Sequence, residues 1–187
     1  DLARIRGGRV IVAPAKEGEH FTTLDGKERV LKADDLTIRD NDGVVALAGV
    51  MGGLDSEITE ASAGVFLESA VFRPATIRRT SRRLGLSPEA SFRFERGIDQ
   101  GRSRWSLDRA CAMIQQLAGG EVSDRLCENE PRPFVPVQVE FRPARCAALL
   151  GVDPGSDFER HVLTGLGCEV KGDGATWTVP QPSWRPD

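Results

Sequence analysis

No apolar run in the chain approaches the roughly 18 consecutive residues that would cross a bilayer, and no basic region followed by an apolar stretch opens it. Nothing in it reads as a membrane-spanning helix, and the expectation is a soluble, cytoplasmic protein with no membrane partner. A starting methionine is also lacking: Asp1 enters directly on sequence of folded character, which reads as the interior of a longer protein. Cysteine is sparse. Cys111, Cys127, Cys146 and Cys168 show no C-x-x-C spacing and have no histidine pair beside them, so reduced structural thiols are expected rather than a zinc site. Neither charge sign dominates, the net charge being -3, so any contact with nucleic acid must be made by a local patch. Both the G-x-G-x-x-G of a dinucleotide fold and the G-K-[ST] of a phosphate loop are missing, and nothing reads as an ATP site.

What is present is enough apolar sequence, 40% of 187 residues, to bury one good core or two small ones. Residues 8–15, G-R-V-I-V-A-P-A, are β-branched between Gly and Pro and predict a strand. Residues 20–31 hold two short alternating runs around Asp25-Gly26, a dipeptide that accepts the positive φ of a hairpin turn. Strands over 35–40 and 44–49 follow, with Asp42-Gly43 as a turn between them, so the opening of the chain predicts a β meander. The loop 16–19 reads as solvated surface.

The stretch 43–100 carries the most information. G-V-M-G-G at 49–53 places three glycines in five residues after an apolar strand, where glycine allows a tight turn or a close backbone approach. G-V-F-L-E-S-A at 64–70 is apolar except for Glu68 and Ser69 and predicts a strand buried on both faces. A carboxylate there costs several kcal/mol unless paired; either Glu68 sits at the strand exit, facing water or a backbone donor, or it lines a pocket. Pro74 opens a helix and Gly85 closes it as a left-handed cap. Ile77, Ser81 and Leu84 share one face, and Arg78, Arg79, Arg82 and Arg83 cover the other, facing RNA phosphate or intramolecular acids. Ser87-Pro88 restarts a helix, with serine as its cap.

Beyond it, 102–120 predicts a supporting helix with Trp105, Ala110, Met113, Ile114 and Leu117 on a stripe, and the proline-rich 128–136 an inter-domain linker. A strand over 137–141, a helix over 143–150 stopped by Gly151, a helix capped by Ser156, and a hairpin over 168–180 then suggest a small winged-helix-like unit. Lacking a dense basic stripe, this unit is expected to serve packing or assembly.

G-V-M-G-G, then L-E-S-A-V-F, then R-R-L-G-L-x-x-E-A-S-x-R-F-E-R-G-I-D resemble the editing domain of the β subunit of bacterial phenylalanyl-tRNA synthetase. The similarity extends upstream through D-L-x-R-I-x-G-G and A-K-E-G-E and downstream to P-S-W-R-P-D, covering essentially the whole chain. The resemblance implies a hydrolytic pocket that clears tyrosyl-tRNA(Phe), since an apolar amino-acid site rejects an isostere bearing one more hydroxyl by only roughly 10². It places Glu68 on the tyrosine hydroxyl, Gly52 and Gly53 along the pocket lining, and Ala90 as a size limit. Pro88 stands where the family usually has threonine, and the family's pocket histidine would precede Asp1. Backbone N–H groups of the glycine turn are expected to face the developing oxyanion. Asp187 matches the first of several carboxylates that bind magnesium, a set this chain leaves incomplete.

The fold expected is α+β, a mixed or antiparallel sheet editing domain with helices over 1–133, then a winged-helix-like domain over 134–187. The implied partners are a synthetase α subunit in an α2β2 assembly, tRNA(Phe), and its tyrosine or phenylalanine ester. ATP is used by the holoenzyme and not bound here. The competing reading is a non-catalytic tRNA-binding or assembly module with a degenerate pocket.

Overall fold

The computed structural model describes residues 1–185. The chain divides into two compact units, the first formed by 1–98 with 103–119 and the second by 99–102 with the chain from 120 onward. Both combine helices with antiparallel strands, the α+β class expected.

In the first unit, β1 (Ile11–Pro14), β4 (Leu36–Arg39), β5 (Val44–Leu47) and β6 (Met51–Gly52) form one antiparallel sheet in that order. Strands β2 (His20–Thr22) and β3 (Glu28–Val30) form a separate hairpin, closed by Gly26 at φ 73° as the Asp-Gly dipeptide requires. The expected simple meander is therefore corrected: β1 skips the hairpin and pairs with β4, Val12 facing Ile38. The loop between β1 and β2 enforces the skip. Gly18 donates to the Leu31 carbonyl at 2.9 Å and Leu31 to the Glu19 carbonyl at 2.8 Å, so the hairpin folds back on its own base. Nor is this loop merely solvated: Glu19 takes both guanidinium arms of Arg39, at 2.6 and 2.8 Å.

The core gathers Phe21, Leu31, Ile38, Leu47, Val50, Phe72, Ile77 and Leu86. Helix α1 (Pro74–Leu84) packs on it through Ile77, 1% exposed; fully burying such a side chain is worth about 2 kcal/mol. Its ends are as the sequence predicts, proline at the start and Gly85 at φ 64° after the last turn, where Leu86 donates back to the Ser81 carbonyl at 2.9 Å. Arg29 of β3, braced by Asp25 at 2.7 Å, gives a further donor to the Leu84 carbonyl at 3.1 Å. Helix α2 (Glu89–Phe94) follows, its Phe94 ring 5.0 Å from that of Phe72. Pro88 rather than Ser87 occupies its cap position, and no side chain caps it.

Two expectations fail in this unit. The stretch 64–70 joins no strand ladder among the described residues, and Val65 and Phe66 are exposed rather than buried. An apolar run becomes a strand only beside a neighbour that takes its backbone hydrogen bonds, and the described residues supply none. Helix α3 (Ser103–Ala118) forms as predicted, yet it buries no residue fully, and Leu117 on its apolar stripe is 79% exposed.

In the second unit, β7 (Gln138–Phe141) pairs antiparallel with β8 (Trp177–Pro180), with α4 (Pro143–Leu150) and α5 (Ser156–Gly165) between them in the chain. Trp177, 1% exposed, stacks on Phe141 at 5.3 Å and carries the Arg160 guanidinium over its ring at 4.6 Å. The hairpin expected over 168–180 reduces to a single bridge between Lys171 and Thr178, because β8 takes β7 as its ladder partner instead. Gly151 at φ 74° ends α4 as predicted, while Gly155 rather than Ser156 stands at the cap of α5. All four cysteines are free thiols. Among the described residues no helix is long and apolar enough to cross a membrane.

Candidate functional site

The glycine turn is built by the end of β5. Val50 donates to the Leu47 carbonyl at 3.0 Å, and Gly49 takes φ 64° to reverse the chain into β6. A Cβ on Gly49 would meet the Phe72 ring at 2.9 Å and Ile77 at 3.1 Å, so glycine is fixed there twice over, by conformation and by space. Gly53 has ordinary extended φ, -89°, and its requirement is purely steric: an added Cβ would lie 2.8 Å from the Val45 carbonyl oxygen and 2.9 Å from the Phe21 ring. At Gly52 the nearest atom would be the tip of Leu24, at 3.2 Å. The close approach expected of this pair is thus made to the protein's own chain. The N–H of Gly53 is also taken, by the Val45 carbonyl at 2.9 Å. Two of the turn's amides, those of Val50 and Gly53, are therefore not free to face an oxyanion.

Glu68 lies in the irregular stretch between the turn and α1. Its side chain is exposed to water and makes no hydrogen bond or ion pair among the described residues. Protein nonetheless crowds around it, and that desolvation pushes its carboxyl above the usual glutamate value. The side chain thus keeps its contact with solvent while the protein around it removes part of its bulk solvation. Next to it, Ser69 Oγ donates to the Ser103 carbonyl at 2.7 Å, tying the stretch to the first residue of α3.

Pro88 and Ala90 stand at the entry to α2, Pro88 half-buried and Ala90 exposed. Two buried serines fix this entry. Ser81 Oγ donates to the Leu86 carbonyl, and Ser91 Oγ donates to the Pro88 carbonyl at 3.0 Å. Gly52, Gly53, Glu68, Pro88 and Ala90 all belong to the first unit, but no hydrogen bond or ion pair joins Glu68 to the others among the described residues. An open hollow of about 880 Å³ is lined by Gly53, Phe21, Arg6, His20, Asp40 and Asp55 among others, and by neither Glu68 nor Gly52, Pro88 or Ala90. Its polar walls are in part already satisfied, with His20 against Glu28 at 2.8 Å and Arg4 on the Asp55 carbonyl at 2.7 Å. It is a poor match for an aromatic side chain.

Most of the arginine face of α1 is engaged within the chain. Arg78 donates to the Glu95 carbonyl at 2.9 Å, Arg79 meets Asp34 at 2.8 Å, and Arg83 meets Asp35 and the Val30 carbonyl. Of the four, Arg82 has no such partner among the described residues, which makes it the free cation of the face. Sequence reasoning missed Asp35, only 1% exposed, which also receives Thr80 Oγ1 and the Lys32 N–H at 2.8 Å each. The spacing of Thr80 and Arg83, three apart on α1, was the available signal. Asp187 lies outside the described residues. Among those described, no group of three or more His, Cys, Asp or Glu side chains could hold a metal ion; a magnesium site does not assemble from them, and no chemistry is routed through one.

Comparison with known proteins gives two family matches, the B3/4 domain over residues 1–119 and the tRNA synthetase B5 domain over 139–187. Relatives named phenylalanine–tRNA ligase β subunit match all of this chain, at 55% identity over 188 residues in Oleidesulfovibrio alaskensis and 52% over 188 in Nitratidesulfovibrio vulgaris. The chain belongs to the phenylalanine–tRNA ligase β-subunit family. It spans 24% of the length of each of those β subunits. A third, from Geobacter metallireducens, is 50% identical over 188 residues, again all of this chain and 24% of that one. An N-terminal fragment of the phenylalanyl-tRNA synthetase β subunit from Pyrococcus horikoshii, a solved structure, is 13% identical with a TM-score of 0.47, covering 100% of this chain and 54% of that one. The B3/4 match contains every pocket candidate and the whole arginine helix, and the B5 match covers the strand–helix–helix–strand unit from its second residue, Val139, onward.

Proposed function

We propose that residues 1–133 are part of an editing domain of the ligase β subunit, which hydrolyses tyrosine mischarged onto tRNA(Phe), and that 134–187 are part of a winged-helix-like domain serving packing or assembly. Aminoacylation with ATP and magnesium belongs in this reading to the holoenzyme, a cytoplasmic α2β2 assembly, with its ATP step on the α subunit. The observation that supports editing most directly is Glu68: an acid set in an apolar stretch, without a hydrogen-bond or ion-pair partner among the described residues, whose carboxyl is pushed up by desolvation. Such a group offers a hydrogen bond to the phenol of tyrosine, about 1.5 to 3 kcal/mol when one partner is charged, and has nothing to offer phenylalanine. In the hydrolysis, a water oxygen adds to the ester carbonyl and the bond to the ribose oxygen breaks. The ribose hydroxyl recovers a proton from that water, and tyrosine leaves as the carboxylate with release of the other. Gly52, Gly53 and Ala90 keep the site small, and Pro88 replaces a hydroxyl by a ring.

The experiment is equilibrium binding of non-hydrolysable tyrosyl and phenylalanyl amides of 3′-amino-3′-deoxyadenosine to the full-length β subunit in its ligase. Preference for the tyrosyl amide, removed by Glu68→Ala, supports the reading, and equal affinity for both amides rejects it. One observation favours a second reading, a non-catalytic tRNA-binding or assembly module. Pro88 brings no hydroxyl, and the Val50 and Gly53 amides are already bonded within the chain.

A further inference from the structure

From residue 65 to residue 72 the chain has no regular structure, and among the described residues its one hydrogen bond is that of Ser69 Oγ to the Ser103 carbonyl, at 2.7 Å. The stretch is held at its ends. Gly64 accepts from the Leu2 N–H at 2.9 Å, and Phe72 is buried against Phe94, ring centroids 5.0 Å apart. Between those anchors Val65, Phe66 and Val71 are exposed and the small Ala70 side chain packs on the core, so side-chain packing holds the backbone beyond Glu68 at one methyl group only. A carboxylate that must meet one hydroxyl of a substrate needs a defined position, because misplacement by about 1 Å can cost as much as a hundredfold. Ser69 supplies the definition. Its hydroxyl joins the peptide next to Glu68 to the first residue of a 16-residue helix, the longest helix of the unit.

We infer that Ser69 is a positioning residue for Glu68, setting selectivity for a tyrosyl over a phenylalanyl ester through its bond to the Ser103 carbonyl. The inference rests on the editing reading proposed above. Ser69 is itself exposed, so its hydroxyl can be removed without opening a cavity, and threonine retains the same donor.

The test uses the full-length β subunit in its ligase, in four forms: wild type, Ser69→Ala, Ser69→Thr and Glu68→Ala, with the Ser69→Ala, Glu68→Ala double variant. Tyrosine release from tyrosyl-tRNA(Phe) and phenylalanine release from phenylalanyl-tRNA(Phe) are followed together with thermal unfolding. Ser69→Ala is expected to lower kcat/KM for the tyrosyl ester by about threefold to tenfold, the range one net hydrogen bond supports. Release of phenylalanine and the melting temperature stay unchanged, Ser69→Thr restores the rate, and the loss vanishes when Glu68 is already alanine. A wild-type rate and selectivity in Ser69→Ala overturns the inference, as does an equal loss on both esters or an undiminished loss in the double variant; none of these touches the editing reading. A wild-type enzyme that releases tyrosine no faster than the spontaneous reaction removes the editing reading itself, and the inference with it.

Discussion

Asp35, buried in the turn before β4, grips Arg83 of α1 across 48 residues of chain, and Thr80 one turn earlier bonds its other carboxylate oxygen at 2.8 Å. An arginine face that could have been reserved for RNA is in this way pinned to the sheet. Arg83 is partly exposed and water can take over its charge, but removing the carboxylate leaves the buried Thr80 hydroxyl without its acceptor, and an unsatisfied buried polar group costs about 1 to 3 kcal/mol. Asp35→Ala is therefore expected to destabilise the first unit by about that amount in urea unfolding. Asp34→Ala, whose bond to Arg79 lies at the surface and is screened by water, should cost clearly less.

Gly52 and Gly53 differ in what surrounds them, and alanine separates them. At Gly53 the new methyl meets a backbone oxygen at 2.8 Å and an aromatic ring at 2.9 Å, neither of which can step aside cheaply. Gly53→Ala is expected to cost about 1 to 3 kcal/mol, the usual range for overpacking. Gly52→Ala meets the flexible end of Leu24 at 3.2 Å and should cost clearly less. Chemical denaturation of the two variants checks the order.

Glu19 gives the first unit an acid dependence. Hydrogen bonding to Arg39, ahead of the Lys16 amide, lowers its pKa from 4.5 to about 2. A carboxyl whose pKa is depressed on folding contributes stability that is complete above its unfolded value and is lost as pH falls through the folded one. The window therefore runs from about pH 5 down to about pH 2, and the amount, reduced for solvent screening, is on the order of 2 kcal/mol. The difference in unfolding free energy between wild type and Glu19→Gln should be present at pH 6 and shrink by pH 3. A difference constant across that range contradicts the assignment.

If α1 meets RNA, Arg82 is the side chain free to do it. Arg82→Ala is expected to weaken binding of tRNA(Phe) to the ligase and to reduce the slope of log affinity against log salt by about 1, the share of one phosphate contact. Arg83→Ala should act on stability instead. Unchanged binding and salt slope in Arg82→Ala leave the whole face structural.

What the sequence made legible was what is decided locally. Asp25-Gly26 makes a hairpin because two residues must turn the chain, and Pro74 and Gly85 bracket α1 because each suits only one end of a helix. Pairing between distant segments was not legible: nothing in 8–15 says that β1 passes over the hairpin to join β4. The apolar composition of 64–70 predicts burial, but a strand needs a neighbour's backbone, and composition does not report one. At the site, Glu68 stood out as a lone acid in an apolar run, whereas Ser69 and Asp35 act through partners 34 and 48 residues away. Gly52 and Gly53 were recognisable as a pair, but their packing against Leu24 and Phe21 had no local signature.

The central claim is that the acid at position 68 recognises a phenolic hydroxyl so that its ester can be cleaved. The most direct measurement is the rate of tyrosine release from tyrosyl-tRNA(Phe) by the full-length ligase, with Glu68 intact and with Glu68→Ala. Release well above the spontaneous rate, falling at least tenfold in the variant, is the predicted result. Release at the spontaneous rate in both proteins, or an equal enzymatic rate with and without the carboxyl, contradicts it.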